Sequence, residues 1–352
     1  MIRKDTKMEE DNIVIETHGL TKRFKDVIAV NDLDLAIRHG EIFGLVGPDG
    51  AGKTTTIRLL CAIMDPSGGT ARVMGLDTVR QSEEIKKRIG YMAQRFNLYG
   101  DLSVMENLDF FADIFQVSGQ VRRERIDQLL GFARLTEFKD RRAARLSGGM
   151  QKKLALACTL IHQPQILFLD EPTTGVDPVS RREFWDILSD LHLQGVTLFV
   201  STPYMDEAER CSRVGLMYEG SLIECDEPQK IKALVSGELI ELRPDDLWRA
   251  RDVVQGLDGV LEIQTYGDLL HVFVDSGDER MATIEDRLQR QGIAVSGLRR
   301  TRPHMEEAFI SLIRKRIEQG KDADPAATAE NDESRGPTSF AETSEKGKEA
   351  QT

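Results

Sequence analysis

The sequence predicts an α/β fold on a mostly parallel sheet, carrying a helical insertion and followed by a small ferredoxin-like α+β domain. Three observations predict it. Short apolar runs alternate with helical patterns through most of the 352 residues, as in a parallel sheet covered on both faces. Residues 103–145 contain no strand-like run. From about residue 237 the pattern changes to β-α-β-β-α-β, the order of a ferredoxin-like unit.

Taken in order, residues 1–12 are a charged N-terminal extension and an α/β domain spans 13–236. IVIET at 13–17 and LDLAI at 33–37 read as strands, followed by EIFGLVG at 41–47. Later apolar runs are QILFLD at 165–170, VTLFVS at 196–201 and VGLMYEG at 214–220. A helical subdomain occupies about 95–150. In it, Ser103 and Glu106 make a capping-box pattern ahead of an apolar face at Leu108, Phe111 and Phe115. Val121, Ile126, Leu129, Leu130 and Ala133 then recur near helical spacing. The accessory domain is expected over 237–319: strands GELIELRP, VLEIQTYG, LLHVFVDS and IAVSGLRR, helices DDLWRARDVVQGL and ERMATIEDRLQRQG, and a last helix, HMEEAFISLIRKRIEQ. Residues 320–352 read as a disordered tail. From 321 they hold one aromatic residue and eight acidic residues against four basic, too little apolar surface to fold.

Hydrophobic residues make up 40% and charged residues 30%, a soluble globular profile. The formal net charge of −12 argues against binding nucleic acid through the global field. No apolar run reaches about 18 residues, so no bilayer span is expected. The N-terminus, MIRKDTKMEEDNIVIE, lacks the apolar core of a signal peptide. Cys61, Cys158, Cys211 and Cys225 form no C-x-x-C pair and read as buried, reduced thiols.

The chemistry begins at Gly47, Pro48, Asp49, Gly50, Ala51, Gly52, Lys53 and Thr54, which fit G-x-x-x-x-G-K-[ST], with Thr55 next in line. EIFGLVG before them and TTTIRLLCAIM after them supply the strand and helix this loop requires. Glycines let backbone N–H groups wrap around phosphates, and the helix N-terminus adds partial positive charge. Lys53 suits the β and γ phosphates, and the Thr54 hydroxyl suits Mg²⁺. A second signal is the apolar strand ending in Asp170 and Glu171. Unpaired carboxylates beside a core are costly, so this ending is read as functional, with Asp170 toward Mg²⁺ and Glu171 toward the attacking water. Between the two lies Leu146-Ser147-Gly148-Gly149-Met150, ahead of QKKLALACTLI; alone, this is equally what plain N-capping writes.

In combination, these motifs resemble the ATP-binding subunit of an ABC transporter, a P-loop NTPase, over roughly residues 13–235. QRFNLYGDLSVMENL and STPYMDEAERC are similar to the ABC-2-type exporter branch, the drug-resistance and multidrug-efflux ATPases. The resemblance implies further roles. Phe24 sits where the family stacks an aromatic ring on adenine, core packing being the alternative. Gln94 holds the Q-loop position, contacting Mg²⁺ or water. Asp177 matches the D-loop at a dimer interface. Ser147 and Gly149 are placed to meet the γ-phosphate of ATP held by a second ATPase subunit, itself or a paralogue, in a head-to-tail dimer. The catalytic set implied is Glu171, Gln94 and Lys53, with Thr54, Gln94 and Asp170 toward the metal.

Two departures stand out. Position 203, where the family places a switch histidine, is Pro203, flanked by a matching Ser201-Thr202 and Tyr204-Met205-Asp206. Proline has no side-chain donor and no backbone N–H. Its plainer reading is the first turn of a helix, where proline is welcome. LSGGQ reads LSGGM, with a thioether at Met150. The expectation is an ATPase that works but is weakened, with Tyr204, Thr202 or a partner chain's histidine as substitutes. ABC-2-type permease chains would form the membrane path, docking near Phe96, Leu98 and Tyr99, and the protein would sit peripherally on the cytoplasmic face of the cell membrane. A soluble ABC ATPase uncoupled from transport and an ATP-binding regulatory module remain alternatives. No nucleic-acid partner is expected.

Overall fold

The computed structural model describes residues 12–95 and 98–322. Residues up to Leu312 form one compact unit, and the end of the last helix, from Ile313, belongs to another. Strands β1 (Ile13–Phe24) and β2 (Val27–Arg38) are separated only by Lys25 and Asp26. So short a connection permits only an antiparallel hairpin, and the two strands pair that way. With β4 (Gly68–Val73) and β5 (Leu76–Asp77) they form their own sheet, ordered β2-β1-β4-β5. The first two apolar runs, at 13–17 and 33–37, thus lie in a sheet of their own, outside the parallel sheet.

The parallel sheet is built from β3 (Ile42–Val46), β6 (Ile89–Met92), β7 (Ile166–Asp170), β8 (Thr197–Thr202) and β9 (Arg213–Tyr218), with β10 (Ser221–Asp226) antiparallel at its edge. The order is β10-β9-β3-β8-β7-β6. Every residue of β3, β7 and β8 is buried, which explains their unbroken apolar runs. Phe168 and Phe43 pack on Phe199 at centroid distances of 5.5 and 5.3 Å. Truncating such a ring to alanine costs about 3–5 kcal/mol. Helix α1 (Lys53–Leu60) packs against strands of both sheets and joins them in one core. The short α2 (Ser82–Lys86) leads into β6.

The insertion consists of α3 (Val104–Ile114), α4 (Gly119–Phe132) and α5 (Gly148–Leu160), with 3-10 turns at Thr136–Phe138 and Ala143–Arg145. The Ser103 capping box is formed in full: Glu106 N–H donates to Ser103 Oγ at 3.2 Å, and Ser103 N–H to the Glu106 carboxylate at 2.7 Å. Leu108, Ile126, Leu130, Leu154 and Cys158 share a separate core here. Helix α6 (Pro178–Leu193) follows β7, α7 (Met205–Ala208) follows β8, and α8 (Pro228–Ala233) follows β10.

The C-terminal strands β11 (Glu238–Pro244), β12 (Val260–Tyr266), β13 (Leu269–Val274) and β14 (Val295–Thr301) form a third sheet, ordered β12-β13-β11-β14 and antiparallel throughout. This is the strand order of a ferredoxin-like sheet. Helices α9 (Leu247–Gln255) and α10 (Gly277–Arg290) pack on it over Ile240, Leu242, Val272, Ile284 and Leu288. Helix α11 (Met305–Asp322) follows. The expected tail lies outside the described residues from 323 onward, as does the N-terminal extension to residue 11.

Candidate active site

Register brings the chemistry together. Val46 at the end of β3 pairs with Thr202 at the end of β8, and Ser201 pairs with Asp170 at the end of β7. Three loops therefore leave neighbouring parallel strands side by side, the usual place for a ligand in such a sheet. From β3, the chain turns through Pro48, Asp49 and Gly50, all exposed, before burying Ala51 and Lys53. Gly52 caps α1 at φ 105°, and a Cβ there would lie 2.2 Å from the Ala29 carbonyl oxygen. Only glycine fits this close approach. Thr54 and Thr55 stay partly exposed on the first turn of α1.

The Lys53 ammonium is buried. It donates to the carbonyls of Gly47 at 2.8 Å and Pro48 at 2.9 Å, and lies 3.5 Å from Glu171 Oε1. Asp170 Oδ1 accepts from Thr54 Oγ1 at 3.0 Å and Ser201 Oγ at 2.7 Å. Its Oδ2 is buried and finds no hydrogen-bond partner among the described residues. Glu171 sits at φ 47°, a left-handed conformation that costs a non-glycine residue about 1–3 kcal/mol. Its N–H donates to the backbone and side-chain oxygens of Ser201, each at 3.1 Å. Its Oε2 accepts from Gln94 Nε2 at 2.8 Å and Thr174 Oγ1 at 3.3 Å.

The donor set fits magnesium. It consists of hard oxygens, with one carboxylate atom left over and a hydroxyl beside it, and a phosphate-bound Mg²⁺ needs few protein ligands. No cluster of three His, Cys, Asp or Glu residues suits a metal among the described residues. The site's negative charge reaches its neighbours. Burial, with Asp170 beside it, pushes the Tyr91 hydroxyl up. Burial pushes the Lys152 ammonium down, against the opposing pull of Glu171 and Asp170.

The remaining expected residues stand around this centre. Ser147 caps α5, its Oγ accepting from Met150 N–H at 3.3 Å. Gly149 is buried where a Cβ would come within 2.5 Å of Ser180 Oγ, so the start of α5 abuts the start of α6. Asp177 caps α6, accepting from Val179 and Ser180 N–H groups at 3.1 and 3.0 Å. The Ser180 bond leads in holding its carboxyl below the usual range. Neither Ser147 nor Asp177 hydrogen-bonds to the Lys53–Glu171 group. Lys152 on α5 donates to the Gln94 carbonyl at 2.9 Å and ties the insertion to the site. Phe24 is 44% exposed, and the Lys22 ammonium lies 5.3 Å from its ring centroid. A cavity of about 400 Å³ lies beside Gln94, lined by Arg95, Leu98, Gly148, Lys152 and Val176. Tyr99 is half-exposed against Phe110; Phe96 lies outside the described residues.

Pro203 is not in a helical first turn. Helix α7 begins at Met205 with Tyr204 as its N-cap, so Pro203 lies in the link from β8. Thr202 is fully buried, its hydroxyl donating to Glu207 Oε2 at 2.6 Å and accepting from Tyr204 N–H at 3.1 Å. The Tyr204 ring lies 4.2 Å from the Arg181 guanidinium. Sequence reading overlooked Ser201, which touches both Asp170 and Glu171. The available signal was an apolar strand ending in Ser-Thr, but only register shows what those hydroxyls face.

These features define a P-loop nucleotide-binding protein with ABC cassette architecture. The ABC transporter family profile matches residues 30–174. The chain is 40% identical over 311 residues to the probable multidrug ABC transporter ATP-binding protein YbhF of Escherichia coli K12, covering 86% of this chain and 52% of that one. It thus spans about half the length of YbhF. It is 34% identical to the daunorubicin resistance ATP-binding protein DrrA2 of Streptomyces coeruleorubidus, covering 88% of this chain and 97% of that one. It is 35% identical to the Nod factor export ATP-binding protein I of Cupriavidus pinatubonensis, covering 85% and 90%. Among solved structures, cbiO1 of Clostridium perfringens matches with a TM-score of 0.58 at 26% identity, over 63% of this chain and 92% of that one. A dimeric, post-hydrolysis cassette bound to ADP and Pi matches with a TM-score of 0.56 at 27% identity, over 60% and 98%. The chain belongs to the ATP-binding proteins of ABC transporters, a family of ATPases.

Proposed function

We propose that this chain binds and hydrolyses ATP for an ABC-2-type export complex, working as a head-to-tail dimer against separate permease chains. The convergence of Lys53, Thr54, Gln94, Asp170 and Glu171 within hydrogen-bonding reach at three strand ends carries the reading. The names of the relatives, a multidrug transporter, a daunorubicin resistance protein and a Nod factor exporter, support export.

The Gly47–Thr55 loop cradles the phosphates. Lys53 leaves the Gly47 and Pro48 carbonyls and Glu171 for the β and γ oxygens. Glu171, still oriented by Gln94, then takes a proton from the attacking water. Thr54 and Asp170, with Gln94 nearby, would hold a magnesium ion, which when bound would supply charge neutralisation at the transferred phosphoryl group. Phe24 stacks on adenine. Ser147 and Gly149 of the partner subunit meet the γ-phosphate at a helix N-terminus, and Asp177 crosses the interface. The cavity beside Leu98 and Gln94 receives the permease. No helix among the described residues is long and apolar enough to cross a membrane, which suits a peripheral subunit at the cytoplasmic face.

Hydrolysis is weakened by Pro203. Thr202's hydroxyl is committed to Glu207, which leaves the Tyr204 hydroxyl or a partner chain's histidine as the substitute donor. Losing one donor aimed at transition-state charge costs on the order of 10²–10³ in rate. Affinity capture of the tagged chain from detergent-solubilised membranes tests the coupling. Stoichiometric recovery of a polytopic membrane protein is expected; recovery of the chain alone, with ATP hydrolysis intact, would overturn the transport reading.

A further inference from the structure

We infer that Glu207 is a positioning residue for hydrolysis: its buried carboxylate locks the loop after Glu171 to the segment carrying Pro203. The inference rests on the ATPase reading above. Glu207 is 1% exposed. Its Oε1 accepts from Thr173 Oγ1 at 2.6 Å and its Oε2 from Thr202 Oγ1 at 2.6 Å. Thr173 lies two residues beyond Glu171, and Thr202 directly precedes Pro203. Arg181 Nε stands 3.8 Å from the same Oε1, and its guanidinium covers the Tyr204 ring. Because Arg181 follows Asp177 on α6, one carboxylate is approached from both sides of residues 174–180.

The chemistry makes this joint stiff. Hydroxyl bonds to a charged acceptor are short and strong, and a buried carboxylate that loses them is left uncompensated. A backbone held at φ 47° persists only where its surroundings over-determine it, and Thr173 anchors the chain just past that point. In a chain with no imidazole at position 203, Glu207 keeps the two loops in register by a route that never touches the nucleotide.

The test uses the purified full-length chain and its Glu207→Gln variant, which keeps the shape but turns one acceptor into a donor facing a hydroxyl. The expected result is a fall in kcat of about tenfold to a hundredfold, the effect of an ångström-scale misplacement. KM for ATP should stay close to wild type. Thr173→Val and Thr202→Val should each reproduce part of the fall. Hydrogen exchange supplies a readout independent of turnover: amides of 172–176 and 202–206 should exchange faster in Glu207→Gln, while those of 42–60 should not. An unchanged kcat, or a kcat that falls together with ATP affinity, overturns the positioning role. If wild type turns over no faster than Glu171→Gln, the ATPase reading fails instead. Exchange then decides the joint alone: faster in both segments supports it, and unchanged in either overturns it.

Discussion

Two regions of the protein bury carboxylates in opposite ways. On helix α11, against β13 of the C-terminal sheet, Glu307 is complete: its Oε1 lies 2.9 Å from His271 Nδ1 and its Oε2 accepts from His304 N–H at 2.7 Å. Burial pushes its carboxyl up, but the His271 bond and the backbone bonds outweigh it and hold it below the usual range. Both residues sit on regular elements, and Tyr266 stacks on His271 at 5.2 Å. At the strand ends of the parallel sheet, Asp170 keeps a buried oxygen without a partner among the described residues, and Glu171 sits at φ 47°. Its partners come from three separate segments, at Lys53, Gln94 and Thr174. A polar group with both oxygens satisfied on an ordinary backbone builds architecture. One left open and strained marks where a ligand completes the structure.

The largest effect should come from breaking the open side. Lys53→Ala should abolish ATP binding and hydrolysis together, measured by nucleotide titration and phosphate release. Glu171→Gln should keep ATP binding while losing on the order of 10² or more in rate, the scale of general-base catalysis. Pro203→His should raise turnover, since it restores a donor beside the γ-phosphate; an unchanged or lower rate would remove the proline from the account. The closed side should respond in stability and not in chemistry. Leu242→Ala, in the fully buried core of the C-terminal sheet, should cost about 2–5 kcal/mol in denaturant unfolding and leave the rate per folded molecule unchanged. For Glu307 the sign follows from its depressed folded value: its stabilisation is complete above the ordinary carboxyl value of 4.5 and is lost as pH falls below it. Glu307→Gln should therefore flatten the fall in Tm on the acid side. Ser103→Ala, which removes only a helix cap, should cost about 1 kcal/mol.

The same contrast explains what was legible in the sequence. The Gly47–Thr54 loop is contiguous, and its glycines and lysine announce themselves without any tertiary context. The Ser103 capping box is equally local. Asp170 and Glu171 were visible because charge interrupts an apolar strand. The Gln94–Glu171 bond joins positions 77 residues apart, and Ser201 meets Asp170 only through the register of β7 and β8. Periodicity carries no register across a crossover. The separate sheet of β1 and β2 is not legible, because only 13–17 and 33–37 read as strands and the two-residue turn that dictates their pairing lies between those runs. Glu207 reads in sequence as one more acidic residue on a surface helix. Only the fold shows that it faces two threonines inward.

The most direct measurement is steady-state ATPase activity of the purified chain across protein concentration, with Glu171→Gln as the blank. The account predicts activity above the blank that rises faster than linearly with concentration, because two copies must meet to complete each site. Activity no higher than the blank, in a protein that still binds ATP, would contradict it.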